Sequence, residues 1–67
     1  MRSRFDEQLN ILNTEMIEMG ALCEEAIALA SKALTTGDVA LAENVSVISA
    51  DIDHKERDIE ARCMKLL

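Results

Sequence analysis

Apolar residues recur along the first half of the chain at alternating steps of four and three. Phe5, Leu9, Leu12, Met16, Met19, Cys23, Ala26, Ala30 and Ala33 form this series. Such spacing keeps one stripe on one side of an α-helix and predicts a helix over about residues 3–35. Leu22, Ile27, Leu29 and Leu34 widen the stripe, as bundle helices facing a core require. The series runs from large side chains to Ala, so a neighbouring helix is expected to approach closest near its end. Ser3 is the expected N-cap, with Asp6 and Glu7 placed to complement the dipole in the first turn. Gly20 interrupts the pattern at a cost on the order of 1 kcal/mol relative to Ala, which points to a close helix contact there.

The segment 35–38, Thr-Thr-Gly-Asp, carries the turn signal. Gly37 suits the left-handed residue that ends a helix, and Asp38 the N-cap of the next. A second helix is predicted over about 39–67. Its apolar residues Leu41, Val45, Ile48, Ile52, Ile59 and Leu66 keep the heptad spacing, and Lys55 and Arg62 fill two gaps in it. Their aliphatic stems are expected to pack while their charges reach water. Two long helices on so short a connection must lie antiparallel. The predicted fold class is therefore all-α, an antiparallel helical hairpin. Helix 2 has no stop signal, and Cys63-Met64-Lys65-Leu66-Leu67 stays in register to the last residue, so the chain reads as part of something longer.

Composition narrows the partners. The chain has 67 residues, 49% of them hydrophobic, which is too apolar for a disordered tail and too short for more than one folding unit. A chain of this size seldom stabilises itself by a core alone, and one face of a lone hairpin stays bare, so self-association is expected. A dimer making a four-helix bundle is the simplest form. With 7 basic and 13 acidic residues the net charge is −6, which argues against nucleic acid. No apolar run approaches the roughly 18 residues a membrane span needs, and the start lacks a secretory h-region, so no membrane insertion and a cytoplasmic location are expected.

The chemistry-bearing feature is a polar line on helix 2. Ser49, Asp53, Glu56, Glu60 and Cys63 are spaced four, three, four and three, beside the apolar seam. Carboxylates at that spacing lie about 5–6 Å apart at Cβ and disfavour mutual ionisation unless a cation intervenes. Inward-facing carboxylates on bundle helices are how such folds hold oxygen-loving metals. Asp53, Glu56 and Glu60 are the candidate ligands. The competing reading is a solvated acidic face, with Lys55, Arg57 and Arg62 near enough to neutralise part of it. His54 reads as an exposed histidine. Met16 and Met19 read as core, and Cys23 and Cys63 as small buried hydrophobes. In a hairpin turning near residue 36 the two cysteines stand some 13 residues apart along the axis, roughly 20 Å, too far for a disulfide. No nucleophile paired with a base, phosphate loop or HExxH pattern is present, so no enzymatic activity is expected.

The order of several segments resembles the start of the PhoU family of phosphate-uptake regulators. The resemblance lies in Met1-Arg2-Ser3-Arg4-Phe5-Asp6-Glu7-Gln8-Leu9, in Ile17-Glu18-Met19-Gly20 followed by Glu24-Glu25-Ala26-Ile27, and in Gly37-Asp38. It continues in Ile52-Asp53, Glu56, Ile59-Glu60 and Cys63. It implies a cytoplasmic, often dimeric, all-α protein built of two similar three-helix bundles, of which this chain would be an incomplete repeat. In that setting a third helix would cover the bare face. The family's implied role is to repress the phosphate-starvation response between the phosphate ABC transporter and a sensor histidine kinase. Some members hold iron or zinc clusters through an E/DxxxD motif. Here that motif falls on Ser49-Ala50-Asp51-Ile52-Asp53, with Ser49 standing where the first carboxylate belongs. Weak or no iron or zinc binding is therefore expected, with Asp51 or Glu56 as the available substitutes.

Overall fold

The computed structural model describes residues 3–67 as two α-helices packed against each other, α1 (Arg4–Thr36) and α2 (Val39–Leu66). Met1 and Arg2, which open the first of the family-like segments, lie outside the described residues.

Local chemistry fixes each end. The Asp6 amide donates to Ser3 Oγ at 3.1 Å, and the Ser3 amide donates back to Asp6 Oδ2 at 3.4 Å. Two of the amides that have no partner within the helix are thus satisfied by one reciprocal pair. At the other end of α1, Gly37 adopts φ 67°, and its amide donates to the Ala33 carbonyl at 2.8 Å. A side chain at that φ would crowd the backbone, so glycine fits there. Asp38 Oδ1 then accepts from the amides of Ala40 and Leu41 at 2.9 and 3.4 Å and starts α2. The helix persists through Thr35 and Thr36, where the sequence predicts turn. Their hydroxyls donate to the carbonyls of Ser31 and Lys32, which keeps the last turn closed. The connection is reduced to Gly37 and Asp38.

The contact seam is regular on both helices. On α1 a half-buried series, Gln8, Leu12, Glu15, Met19, Leu22, Ala26, Leu29 and Ala33, alternates by four and three, with Cys23 and Ala30 half-buried at its edge. On α2 the matching series is Leu41, Val45, Ile48, Ile52, Lys55, Ile59, Arg62 and Leu66. The α2 seam holds the residues the sequence pattern indicates. The α1 seam is rotated from the predicted one. Leu12, Met19, Cys23, Ala26, Ala30 and Ala33 are half-buried as expected, but Gln8 and Glu15 take the places expected for Leu9 and Met16, and Leu22 and Leu29 are drawn in beside Cys23 and Ala30. The cause is on α2, because Lys55 and Arg62 within its seam require acceptors opposite, and only the rotated face of α1 supplies them.

The rotation leaves an apolar strip of α1 uncovered. Leu9, Met16, Ile27 and Leu34 are all exposed, Ile27 at 70% and Leu34 at 86%. The hairpin measures 53 × 18 × 13 Å, a single layer, and among the described residues none is fully buried. A layer this thin has no interior, and domains ordinarily bury their apolar faces against a second layer.

Candidate functional site

Asp53, Glu56 and Glu60 project from one flank of α2, and all three are exposed. Together with Arg57 they line a shallow groove. The three- and four-residue steps place them in a row along the helix, not around a point. Among the described residues no three His, Cys, Asp or Glu side chains converge closely enough to hold a metal ion. The carboxylates of this chain are thus a line of oxygen donors with a guanidinium among them, not a closed ligand set for iron or zinc. Ser49, one turn earlier, is exposed and adds only a hydroxyl.

His54 is exposed, in a separate groove with Leu22, Asp51, Lys55 and Asp58. Cys23 and Cys63 are free, half-buried thiols. Gly20 does not mediate the contact expected of it. A Cβ built there meets nothing within 4 Å, because the rotated seam turns Gly20 away from α2.

The most developed polar chemistry lies inside the seam. Lys55 Nζ donates to Glu18 Oε2 at 2.7 Å. Arg62 pairs through Nε with Glu15 and donates through Nη1 to Gln8 Oε1 at 3.0 Å. One guanidinium thereby joins residues two turns apart on α1. The Glu15 side chain retains only 12% of its exposure. The sequence pattern anticipates cations whose stems pack and whose charges reach water, whereas the charges instead close onto α1. The bond to Glu18 is the main reason the Lys55 ammonium is held above its ordinary pKa of 10.5; desolvation opposes it, and the nearby carboxylates of Glu18, Glu15 and Asp58 assist. Glu15, Glu18 and Gln8 are missed by apolar periodicity. The hairpin register exposes them, since a turn at residues 36 and 37 sets Lys55 level with Glu18, and Arg62 level with Ile11, midway between Gln8 and Glu15.

The flank that carries the acidic row changes character toward the turn. Near the turn, Ala30, Ala33 and Leu34 of α1 meet Ala42 and Val45 of α2 in an apolar dent. That dent marks where the uncovered strip of α1 runs alongside α2. Among the described residues, no helix is long and apolar enough to cross a membrane.

Comparison with known proteins bears on this arrangement. Residues 16–67 match the PhoU domain. The chain is 40% identical over 57 residues to the phosphate-specific transport system accessory protein PhoU homolog of Rhizobium meliloti (strain 1021), an alignment spanning 85% of the chain and 24% of that relative. It is 31% identical over 64 residues to the protein of the same description from Pseudomonas aeruginosa, covering 96% of the chain and 26% of the relative. A third, from Pseudomonas putida, is 30% identical over 64 residues, with 96% and 25% covered. The chain thus spans about a quarter of the length of the curated relatives it matches. No solved structure matches it.

Proposed function

The chain belongs to the PhoU domain family, and we propose on that basis that it acts as a regulatory, non-catalytic accessory element of phosphate uptake in the cytoplasm. The observation that carries the reading is the family match over residues 16–67, joined to three relatives whose descriptions all name an accessory protein of a phosphate-specific transport system. An open, single-layered hairpin suits an accessory role, since it offers surface to a partner. The partners we assign are the phosphate ABC transporter and the sensor histidine kinase of the phosphate-starvation response. Through them the protein would hold that response off while phosphate is plentiful.

The bare strip on α1 is the observation behind self-association, the second reading, in which the hairpin is a dimerisation module. Sedimentation of the isolated chain at micromolar concentration tests it, and a folded monomer counts against it. The regulatory reading is tested by titrating the purified 67-residue chain against the solubilised transporter and against the cytoplasmic portion of the kinase. Saturable association with at least one is expected. Absence of association with both overturns it.

We further propose that the chain on its own holds iron or zinc weakly or not at all. Asp53, Glu56 and Glu60 supply the carboxylates of this groove, and a full coordination shell would need oxygens from outside these residues.

A further inference from the structure

We propose that the ion-pair ladder across the seam is a rotational selector for α1: it holds Leu9 and Met16 on the outside, and without it the helix turns them into the seam. α1 carries two candidate stripes that share Leu12, Met19, Ala26 and Ala33. In the half of the hairpin away from the turn, the seated stripe adds Gln8 and Glu15, and the rejected one adds Leu9 and Met16. Gln8 and Leu9 are adjacent in sequence, as are Glu15 and Met16, so the members of each pair stand about 100° apart around the helix. Rotation by about half that angle exchanges one stripe for the other. Nearer the turn both stripes are engaged, since Leu22 and Cys23 are both half-buried, as are Leu29 and Ala30.

Apolar burial alone favours the rejected stripe. Met16 is 52% exposed and Leu9 is exposed too, while the half-buried places between Leu12 and Met19 and before Leu12 go to a carboxylate and an amide. Removal of apolar surface from water is the main force that packs helices together, so the observed seating needs a counterweight. The ladder supplies it. Lys55 Nζ lies 2.7 Å from Glu18 Oε2, and Arg62 engages both Glu15 and Gln8. Gln8, Glu15 and Glu18 all lie on one side of the line through Leu12 and Met19, and Leu9 and Met16 lie on the other. Rotation toward Leu9 and Met16 therefore carries all three acceptors away from α2 together. Lys55 and Arg62 would then sit in a seam of Leu and Met with no acceptor, a costly place for two cations. Polar groups at seam positions of paired helices fix one pairing at some cost in stability, and here what they fix is the facing of α1. The consequence is the apolar strip itself. Leu9 and Met16 stay outward on the same side as Ile27 and Leu34, the surface on which a further helix of the same bundle would pack. The selector acts within the hairpin, so it operates whatever partners the chain has and whatever follows Leu67.

Two methionines report the facing of α1 directly. In the 67-residue chain, with isotope-labelled methionine methyls, a soluble paramagnetic agent enhances the NMR relaxation of exposed methyls, and Met64 on α2 serves as the exposed reference. Met16 is expected to be enhanced several-fold more than half-buried Met19 in the unsubstituted chain. In the double variant Lys55→Leu, Arg62→Leu the two are expected to become equally protected, with Met64 unchanged and the Leu22 methyls gaining enhancement. Lys55→Arg, which keeps the ion pair, is expected to keep Met16 outside. Far-ultraviolet circular dichroism verifies that each variant stays helical. Should the double Leu variant not fold, Glu15→Gln, Glu18→Gln removes the acceptor charges with little change of shape, and Met16 is expected to become protected in the same direction by a smaller factor. A folded variant of either kind in which Met16 stays as exposed as before overturns the proposal. So does a Met16 that is already as protected as Met19 in the unsubstituted chain.

Discussion

Lys55 on α2 and Glu18 on α1 are 37 residues apart in sequence and 2.7 Å apart in space. Lys55 occupies a seam position that its neighbours fill with Ile and Val. An ammonium there is compatible with packing only if an acceptor sits at the same level of α1. The pair therefore links helix register to charge, since sliding α1 by one turn would separate the two groups.

The first prediction concerns titration. Glu18 holds the Lys55 pKa above its ordinary value. A folded-state pKa raised in this way contributes stability that is fully present below the unfolded value of about 10.5 and lost as pH rises through the folded value. The ε-carbon resonance of Lys55, followed by NMR against pH, is expected to titrate above the ordinary lysine midpoint. In Glu18→Gln the midpoint should fall back toward that of the other lysines. An unchanged midpoint in the variant would show that the bond does not persist in solution.

Arg62 makes the larger connection, through Glu15 and Gln8, which lie two turns apart. Half-buried, charge-assisted hydrogen bonds contribute more than exposed ones, so Arg62→Ala is expected to cost about 1–2 kcal/mol. Much of that cost is the stranded Glu15 carboxylate. The double variant Glu15→Leu, Arg62→Leu should therefore recover most of the loss, because an apolar pair suits the seam equally well. A double-mutant cycle by urea denaturation measures the coupling, and strict additivity of the two single changes would count against it.

The features legible in the sequence are those that local chemistry decides. Ser3, Gly37 and Asp38 each cap by a bond to a residue within four positions, so their residue types announce them. The α2 seam is legible too, because most of its large apolar residues fall on one stripe, with only Val39, Val47 and Met64 off it. On α1 two overlapping stripes are apolar. Leu9, Met16 and Cys23 compete with Leu22 and Leu29 for the same contact, and periodicity alone cannot choose between them. The choice is made by Lys55 and Arg62, which lie on the other helix and act only once the hairpin closes. Periodicity weighs hydrophobicity, so it discards Gln8 and Glu15, the residues that set the rotation. The acidic stripe reads clearly as a row but says nothing about convergence, which depends on neighbours beyond the helix that carries it.

The two glycines make opposite predictions for the same substitution. Gly37 sits at φ 67°, where a Cβ is strained whatever the space around it. Gly37→Ala is expected to destabilise the hairpin by about 1 kcal/mol. Gly20 lies in the middle of α1 and faces open space. Gly20→Ala is expected to stabilise the isolated chain by about 0.5–1 kcal/mol through helix propensity and a less flexible unfolded state. Thermal unfolding of the two variants side by side checks both signs. A loss at Gly20 would reveal a close approach by a second molecule in solution.

The last prediction concerns metal. Asp53, Glu56 and Glu60 line one groove, but they are strung along the axis and share it with Arg57. A divalent ion needs several oxygens around a point, at distances short enough to replace its waters. A row on one helix face offers it one or two at a time, and the guanidinium already competes for them. Ser49 does not repair this, because a neutral hydroxyl neither offsets the ion's charge nor binds it strongly. Calorimetry with iron or zinc on the isolated chain is thus expected to give little or no heat of specific binding. Whatever weak binding does occur should fall further in Asp53→Asn, the one position that retains a carboxylate of the family-like motif. Tight binding to the unsubstituted chain would mean that Ser49 is no obstacle and that solution assembles a ligand set the single hairpin lacks. Weak binding left unchanged by Asp53→Asn would place the ion elsewhere than on this stripe.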